Sequence, residues 1–369
     1  MTLRLTAVLG VFCVALAAAG AGVATPATVT PVMINLDNPR GLAFDKKGAL
    51  FVAEAGRGGA GPCQVLRPAD LGGAPSCYGP SGRISRYWKG HQKAVVTGLP
   101  SYALATGSNA TGPDDLAVHG KHALVTVGWG ENPALRQTAP SNVWGQFGHL
   151  VRAELKGKGK WKLDADVSAY EAAANPDGGP IDTNPYGILG LHGKKVIVAD
   201  AGGNDLLRVH KKKISTVAVF PTRSSTPPHP SCTFPGFPPI TDSVPTAVAV
   251  GPDKAYYVGE LTGLPFCAGF ANVYRVVPGH APTVFCGGFT TIIDLAFGPD
   301  GSLYVAQHSN GPVFFGTPGD VVRVGPGCSK TPVTPPLNRP GSIAFGPDGK
   351  LYVSVNSNSA GTGQVVRID

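Results

Sequence analysis

Residues 340–354 read PGSIAFGPDGKLYVS: an apolar segment opened by proline, a Gly-Pro-Asp-Gly turn, and a second apolar segment. The pattern returns as IIDLAFGPDGSLYVA at 292–306 and as PRGLAFDKKGALFVA at 39–53. More worn copies pair 113–118 with 124–127, 185–189 with 196–199, and 245–250 with 256–259. Proline opens five of the six units, and Ile292 takes its place in the fifth. A third apolar segment follows in each, carrying Arg86, Arg152, Arg208, Arg275, Arg323 and Arg367 in equivalent places. A fourth follows as at 94–96 or 283–285. Four short antiparallel strands per unit, repeated six times, predict an all-β, six-bladed β-propeller.

After Asp369 the sixth unit has only three strands, whereas 29–34 stands before the first unit where a fourth strand would belong. The N-terminal strand is therefore expected to complete blade six and remove an open edge. The six equivalent arginines could form an anion-binding ring, but blade-to-blade contacts are the expected role, because third strands lie away from the axis.

Arg4 precedes an apolar run from Leu5 to Ala19 and a small-residue stretch ending at Ala24. That order predicts a signal peptide over 1–24 and a propeller domain over 25–369. The run is short for a membrane span, so the exported chain is expected in the cell envelope, periplasmic or secreted, without a membrane anchor. Six cysteines remain beyond it. In an exported chain an even number predicts disulfides. Cys63–Cys77 is the first expected pair because both fall in one loop, and Cys232–Cys267 is the second. Cys286 and Cys328 are placed toward opposite ends of neighbouring blades and left unassigned.

Strand order sorts the loops onto two faces. One face has only short turns, and all 17 lysines fall on or next to it. The other holds the long insertions, 56–81, 100–112, 128–146, 167–184, 221–243 and 261–271, and is rich in Asp and Glu. The net charge of +8 therefore hides a dipole. The basic face lacks the interleaved aromatics of a nucleic-acid surface. It suits a solvated face or contact with an anionic envelope polymer.

Long loops on a rigid frame place the site at the axial mouth of the acidic face. Glu54, Asp200 and Glu260 end the second strands there, while Arg40, Asp115, Asn184, Tyr186 and Asp294 stand at the start of the first strands. Arg40 is the nearest cation to relieve the carboxylates. Three readings stay open. Glu54, Asn184, Asp200 and Glu260 could hold Ca²⁺, a hard ion that prefers oxygen ligands. Two carboxylates of shifted pKa could act as general acid and base. The carboxylates could instead bind turn amides and pair with arginines. No Gly-x-Ser-x-Gly elbow is present, His308 is the one histidine near the rim, and the glycine-rich 56–61 opens no helix.

The stretches FVAEAGRGGAGPC (51–63), YEAAANPDGGPIDTNPYG (170–187), VADAGGNDLLRV (198–209) and YYVGELTG (256–263) resemble the ScyD/ScyE family of exported bacterial proteins. The resemblance implies a propeller related to the NHL and gluconolactonase-like groups and brings no reaction with it. Two function classes follow. The first is a monomeric binding or scaffold protein for a small molecule or envelope polymer; the second is a calcium-dependent lactonase-like hydrolase or lyase.

Overall fold

A computed structural model describes residues 27–66, 73–224, 240–311 and 316–369. The chain forms six radial sheets, each with four principal strands, which run outward from the axis in sequence order in the first five. Blade one contains Pro39–Phe44, Leu50–Glu54, Ser76–Trp88 and His91–Ala103. Blade two contains Pro113–His119, His122–Val127, His149–Glu154 and Trp161–Asp166. Blade three contains Pro185–Gly190, Lys195–Asp200, Asp205–His210 and Lys213–Val219. Pro245–Val250, Tyr256–Glu260, Ala271–Val276 and Thr283–Phe289 form blade four. Ile292–Phe297, Leu303–Gln307, Asp320–Val324 and Lys330–Pro332 form blade five. Blade six joins Ser342–Phe345, Leu351–Val355 and Gly363–Ile368 to the N-terminal strand Val29–Leu36, which pairs antiparallel with Gly363–Ile368. The ring therefore closes between its two ends, as the repeat count requires.

The second strands form the core, with Val52, Val125, Val198, Val258, Val305 and Val353 all fully buried. Toward the axis each first strand has a free edge, and side chains of the preceding blade satisfy part of it. Asp115 accepts from the Ile188 amide at 2.9 Å, Asp294 from that of Ile343 at 2.8 Å, and Ser342 Oγ from that of Leu42 at 3.1 Å. Thr246 and Ser354 donate across their seams to the carbonyls of Ile292 and Arg40. Asp115 also packs against Gly41, where any Cβ would overlap it. That close approach explains glycine in a strand otherwise filled with larger residues.

Four of the six third-strand arginines, Arg152, Arg275, Arg323 and Arg367, make ion pairs within their own blades, where a blade-to-blade role was expected. Arg275 pairs with Asp253 at 2.7 Å and Arg323 with Asp300 at 2.9 Å, each aspartate belonging to the turn between strands one and two. Arg275 and Arg323 stand opposite Tyr257 and Tyr304 in the ladder, and the same aspartates accept from those phenols. The tyrosine rings instead bridge the blades: Tyr257 meets Phe297, Tyr304 meets Phe345 and Tyr352 meets Phe44, with centroids 4.9–5.1 Å apart.

Cys63 and Cys77 form the expected disulfide across a paired register. Cys267 is disulfide-bonded, and Cys232 lies outside the described residues. The unassigned cysteines form a Cys286–Cys328 bond that ties the outer strand of blade four to a turn of blade five. Strand twist accumulates outward across a blade. The outer strand thus leans over its neighbour, which a flat drawing of the loops misses. Closing a loop with a sequence separation of 42 contributes roughly 4 kcal/mol in the chain-entropy model. Cys286→Ser/Cys328→Ser should lower the urea midpoint accordingly, with a steeper slope because the uncrosslinked unfolded chain exposes more surface; an unmoved midpoint would show that the bond staples nothing.

Disulfides suit an oxidising compartment. Among the described residues no helix is long and apolar enough to cross a membrane. The expected signal peptide over 1–24 lies outside the described residues.

Candidate functional site

The carboxylates that end the second strands do not pool around the axis; each turns back into its own blade. Glu54 is fully buried and accepts from the Asp37 amide at 2.7 Å and Arg83 Nε at 2.9 Å, and also from the Ser85 hydroxyl. Asp37 in turn pairs with Arg83 and Arg57. Asp200 accepts from the Thr183 hydroxyl and from the amides of Asn184, Gly202 and Gly203. Glu260 pairs with Arg223 and accepts from the Ser243 hydroxyl at 2.6 Å and the Asn272 amide at 2.8 Å. Gln307 repeats the arrangement by accepting from the Thr290 amide at 2.7 Å. Asp37, Thr183, Ser243 and Thr290 each stand two residues before a first strand, so these side chains fasten the incoming chain to its blade. Burial pushes all three carboxyls up, Glu260 to about 7, while Arg83 and Arg223 oppose the rise at Glu54 and Glu260.

The four residues expected to bind calcium are not gathered at one point. Asn184 Oδ1 accepts from the Trp129 amide at 3.0 Å, and Glu54, Asp200 and Glu260 accept their hydrogen bonds in three different blades. Among the described residues no three His, Cys, Asp or Glu side chains are arranged to hold a metal ion. Nor is Arg40 their counter-ion, since Arg83 and Arg223 fill that role.

A different group meets at the axis, just inside the long-loop face. Arg40 Nη2 donates to the Ala110 carbonyl at 3.1 Å, and its Nε stands 3.9 Å from Asp114 Oδ1. Tyr186 lies in the field of Arg40, Asp114, Asp294 and Asp115, and its buried hydroxyl has no hydrogen-bond partner. Asp115 and Asp294 come from opposite blades, and both sit half-buried. Burial raises the Asp115 carboxyl well above its ordinary value, with Asp294 adding to the rise. Asp294 is pushed up to about 6 by burial, against the Ser342 and Ile343 hydrogen bonds. Behind them His308 is held down to about 3 by burial, and the Arg339 and Arg40 charges push the same way. The neutral ring keeps Nδ1 at 2.8 Å from the Pro340 carbonyl, so Nδ1 donates and Nε2 is left as an acceptor. Of the predicted residues, Arg40, Asp115, Tyr186 and Asp294 therefore come together, whereas Glu54, Asn184, Asp200 and Glu260 serve other contacts. Asp114 and His308 complete the group. Their positions beside Asp115 and after Gln307 were the available sequence signal.

The helix Val167–Ala174, the loop after it and the third strand of blade three build a second acidic cluster. Glu171 and Asp205 are almost fully buried, and Glu171 Oε1 and Asp205 Oδ1 lack hydrogen-bond partners. Burial, then Asp200, Asp177 and Asp182, pushes Glu171 up to about 8. A carboxyl raised on folding keeps a proton that the unfolded chain has released. Stability is thus present below the unfolded value of 4.5 and is lost as pH climbs toward about 8. Asp294 and Glu260 act in the same sense but finish lower. The melting temperature should therefore keep falling from about pH 7 to about pH 8.5, and Glu171→Gln should flatten that last fall. An unaltered slope in the variant would remove Glu171 from this account.

No family model matches the chain, and no curated protein matches it. Solved structures share its fold. A putative glucose-dehydrogenase-type oxidoreductase from Thermus thermophilus aligns with TM-score 0.54 and 18% identity over 93% of this chain and 100% of its own. A soluble aldose sugar dehydrogenase from Escherichia coli gives 0.53 and 12% over 93% and 99%. A gluconolactonase from Xanthomonas campestris gives 0.53 and 10% over 93% and 90%. At these identities the likeness establishes a six-bladed propeller of the type those sugar-acting enzymes use.

Proposed function

We propose that this chain is an exported ScyD/ScyE-like binding protein that holds a small polyhydroxylated anion, such as a sugar acid, at the axial mouth. Its place is the periplasm or the cell exterior, and it works as a monomer without nucleic acid. The observation that carries the reading is the buried Tyr186 hydroxyl without a partner beside Arg40 and three aspartates. A buried polar atom left unpaired is unfavourable until something bonds to it. Arg40 suits a ligand carboxylate, Tyr186 Oη can donate to it, and the aspartates can accept from hydroxyls. The sugar chemistry named for the structural neighbours is consistent with that ligand class.

Titrating D-gluconate into the protein by calorimetry tests the proposal. Saturable binding that Arg40→Met weakens by roughly tenfold or more, one lost charge-assisted pair, supports it; no binding, or binding unchanged in Arg40→Met and Tyr186→Phe, ends it. A second reading, lactone hydrolysis, is favoured by Asp115 and Asp294, two carboxyls from opposite blades that burial pushes up, Asp294 to about 6. The four expected calcium ligands do not fit one ion, so no metal step is assigned. Hydrolysis of glucono-1,5-lactone that vanishes in Asp115→Asn would move the assignment to this reading, and sensitivity to chelator would restore the ion.

A further inference from the structure

We infer that the short-turn face carries a second binding site, between blades two and three, for a small amphipathic anion such as an alkyl carboxylate or sulfate. The case begins with the seams. At the start of each seam, the second-strand residue paired with the fifth position of the first strand reaches toward the sixth position of the next blade. Three seams close there with aromatic pairs, Tyr257 on Phe297, Tyr304 on Phe345 and Tyr352 on Phe44. By ladder register the same two places at the seam between blades two and three hold Leu124 and Gly190. Two rings have been replaced by an aliphatic chain and a hydrogen atom, and a cavity of about 600 Å³ stands there. That volume falls within the small-molecule range.

Its walls are apolar, with Ala117, Leu124, Leu191, Val196 and Val250 among them. Its rim is cationic: Lys46 comes from blade one, and Lys194 and Lys195 come from blade three. Among the described residues none of these lysines is in an ion pair, whereas Arg152 on the wall is 3.3 Å from Asp164. No carboxylate lines the cavity. An apolar pocket admits an alkyl or aryl body, and unpaired ammonium groups at its edge select an anionic head over a neutral or cationic one. The basic face thus has a pocket of its own, independent of the polar group at the opposite mouth.

The test is calorimetric titration of octyl sulfate, with 1-octanol and octyltrimethylammonium as the neutral and cationic counterparts. One equivalent of octyl sulfate should bind, and the other two should bind roughly tenfold or more weakly. Lys194→Glu/Lys195→Glu should weaken octyl sulfate by a similar factor. Gly190→Phe restores a ring at the place that Phe297, Phe345 and Phe44 fill at the three aromatic seams. Its backbone is outside the left-handed region, and an added Cβ meets only Ala117 Cβ at 3.4 Å. This variant should abolish octyl sulfate binding while leaving D-gluconate binding unchanged. Equal affinity for 1-octanol, or wild-type affinity in both variants, would overturn the inference. So would adsorption to phosphatidylglycerol vesicles without binding of monomeric octyl sulfate, which would make the face a membrane contact instead.

Discussion

A chain lacking Val29–Leu36 should fail to hold a closed ring. The strand pairs along its length with Gly363–Ile368, and its Met33 and Leu36 are 1% exposed. Those two side chains alone account for about 1.5–3 kcal/mol each of apolar burial. Deletion also strips the ladder from the outer edge of blade six and exposes Val365, which the strand helps to bury. Against a net stability of about 5–15 kcal/mol for a typical domain, most of the margin should go. The exposed edge should add strand-to-strand association. Sedimentation and thermal melting of the truncated chain should show oligomers and a depressed or absent transition. A monomer with the full-length melting temperature would refute closure by this strand.

The second large effect is expected at Arg83. It reaches both Asp37 and Glu54, two buried carboxylates, and is itself 28% exposed. Replacing it with Met keeps most of the apolar stem and removes the charge. Breaking one side of a buried pair costs about 3–5 kcal/mol, and Arg57 remains to serve only Asp37. The sign with pH is defined as well. Without Arg83 the Glu54 carboxyl rises further above its ordinary value, so the loss should shrink in acid, where Glu54 is protonated, and grow toward pH 8. Glu54→Gln should rescue part of it, making the double variant less impaired than the sum of the singles. Additive effects, or a loss independent of pH, would show that the two groups are not coupled.

How much of this was legible in the sequence differs by element. The Pro-x-Gly-Leu-Ala-Phe repeat fixes strand length, register and turn together, so blade number and ring closure could be read from it. The start of each first strand was legible too, and the structure brings Arg40, Asp115, Tyr186 and Asp294 near one another there. Glu54, Asp200 and Glu260 were misassigned for a physical reason. They occupy equivalent places one strand out from the axis, and equivalence says nothing of which way a side chain turns. The groups that claim them, the Asp37 amide and the Thr183 and Ser243 hydroxyls, sit two residues before the first strand of the same blade, and the arginines of Glu54 and Glu260, Arg83 and Arg223, arrive from a lengthened third strand and a long loop. Neither lies in the repeat. The cavity at the seam between blades two and three was hidden for the opposite reason. It arises from residues that depart from the repeat, Leu124 and Gly190, and only the register shows what they replace.

The central claim is that a ligand is held by the first-strand group at the axis rather than by the second-strand carboxylates. A crystal structure of the protein soaked in D-gluconate tests it most directly. The expected result is a carboxylate on Arg40 with Tyr186 Oη donating to it, and sugar hydroxyls on Asp115 or Asp294, while Glu54, Asp200 and Glu260 keep their present partners. Ligand or an ion seated on Glu54, Asp200 and Glu260, with the Tyr186 hydroxyl still unpartnered, would contradict it.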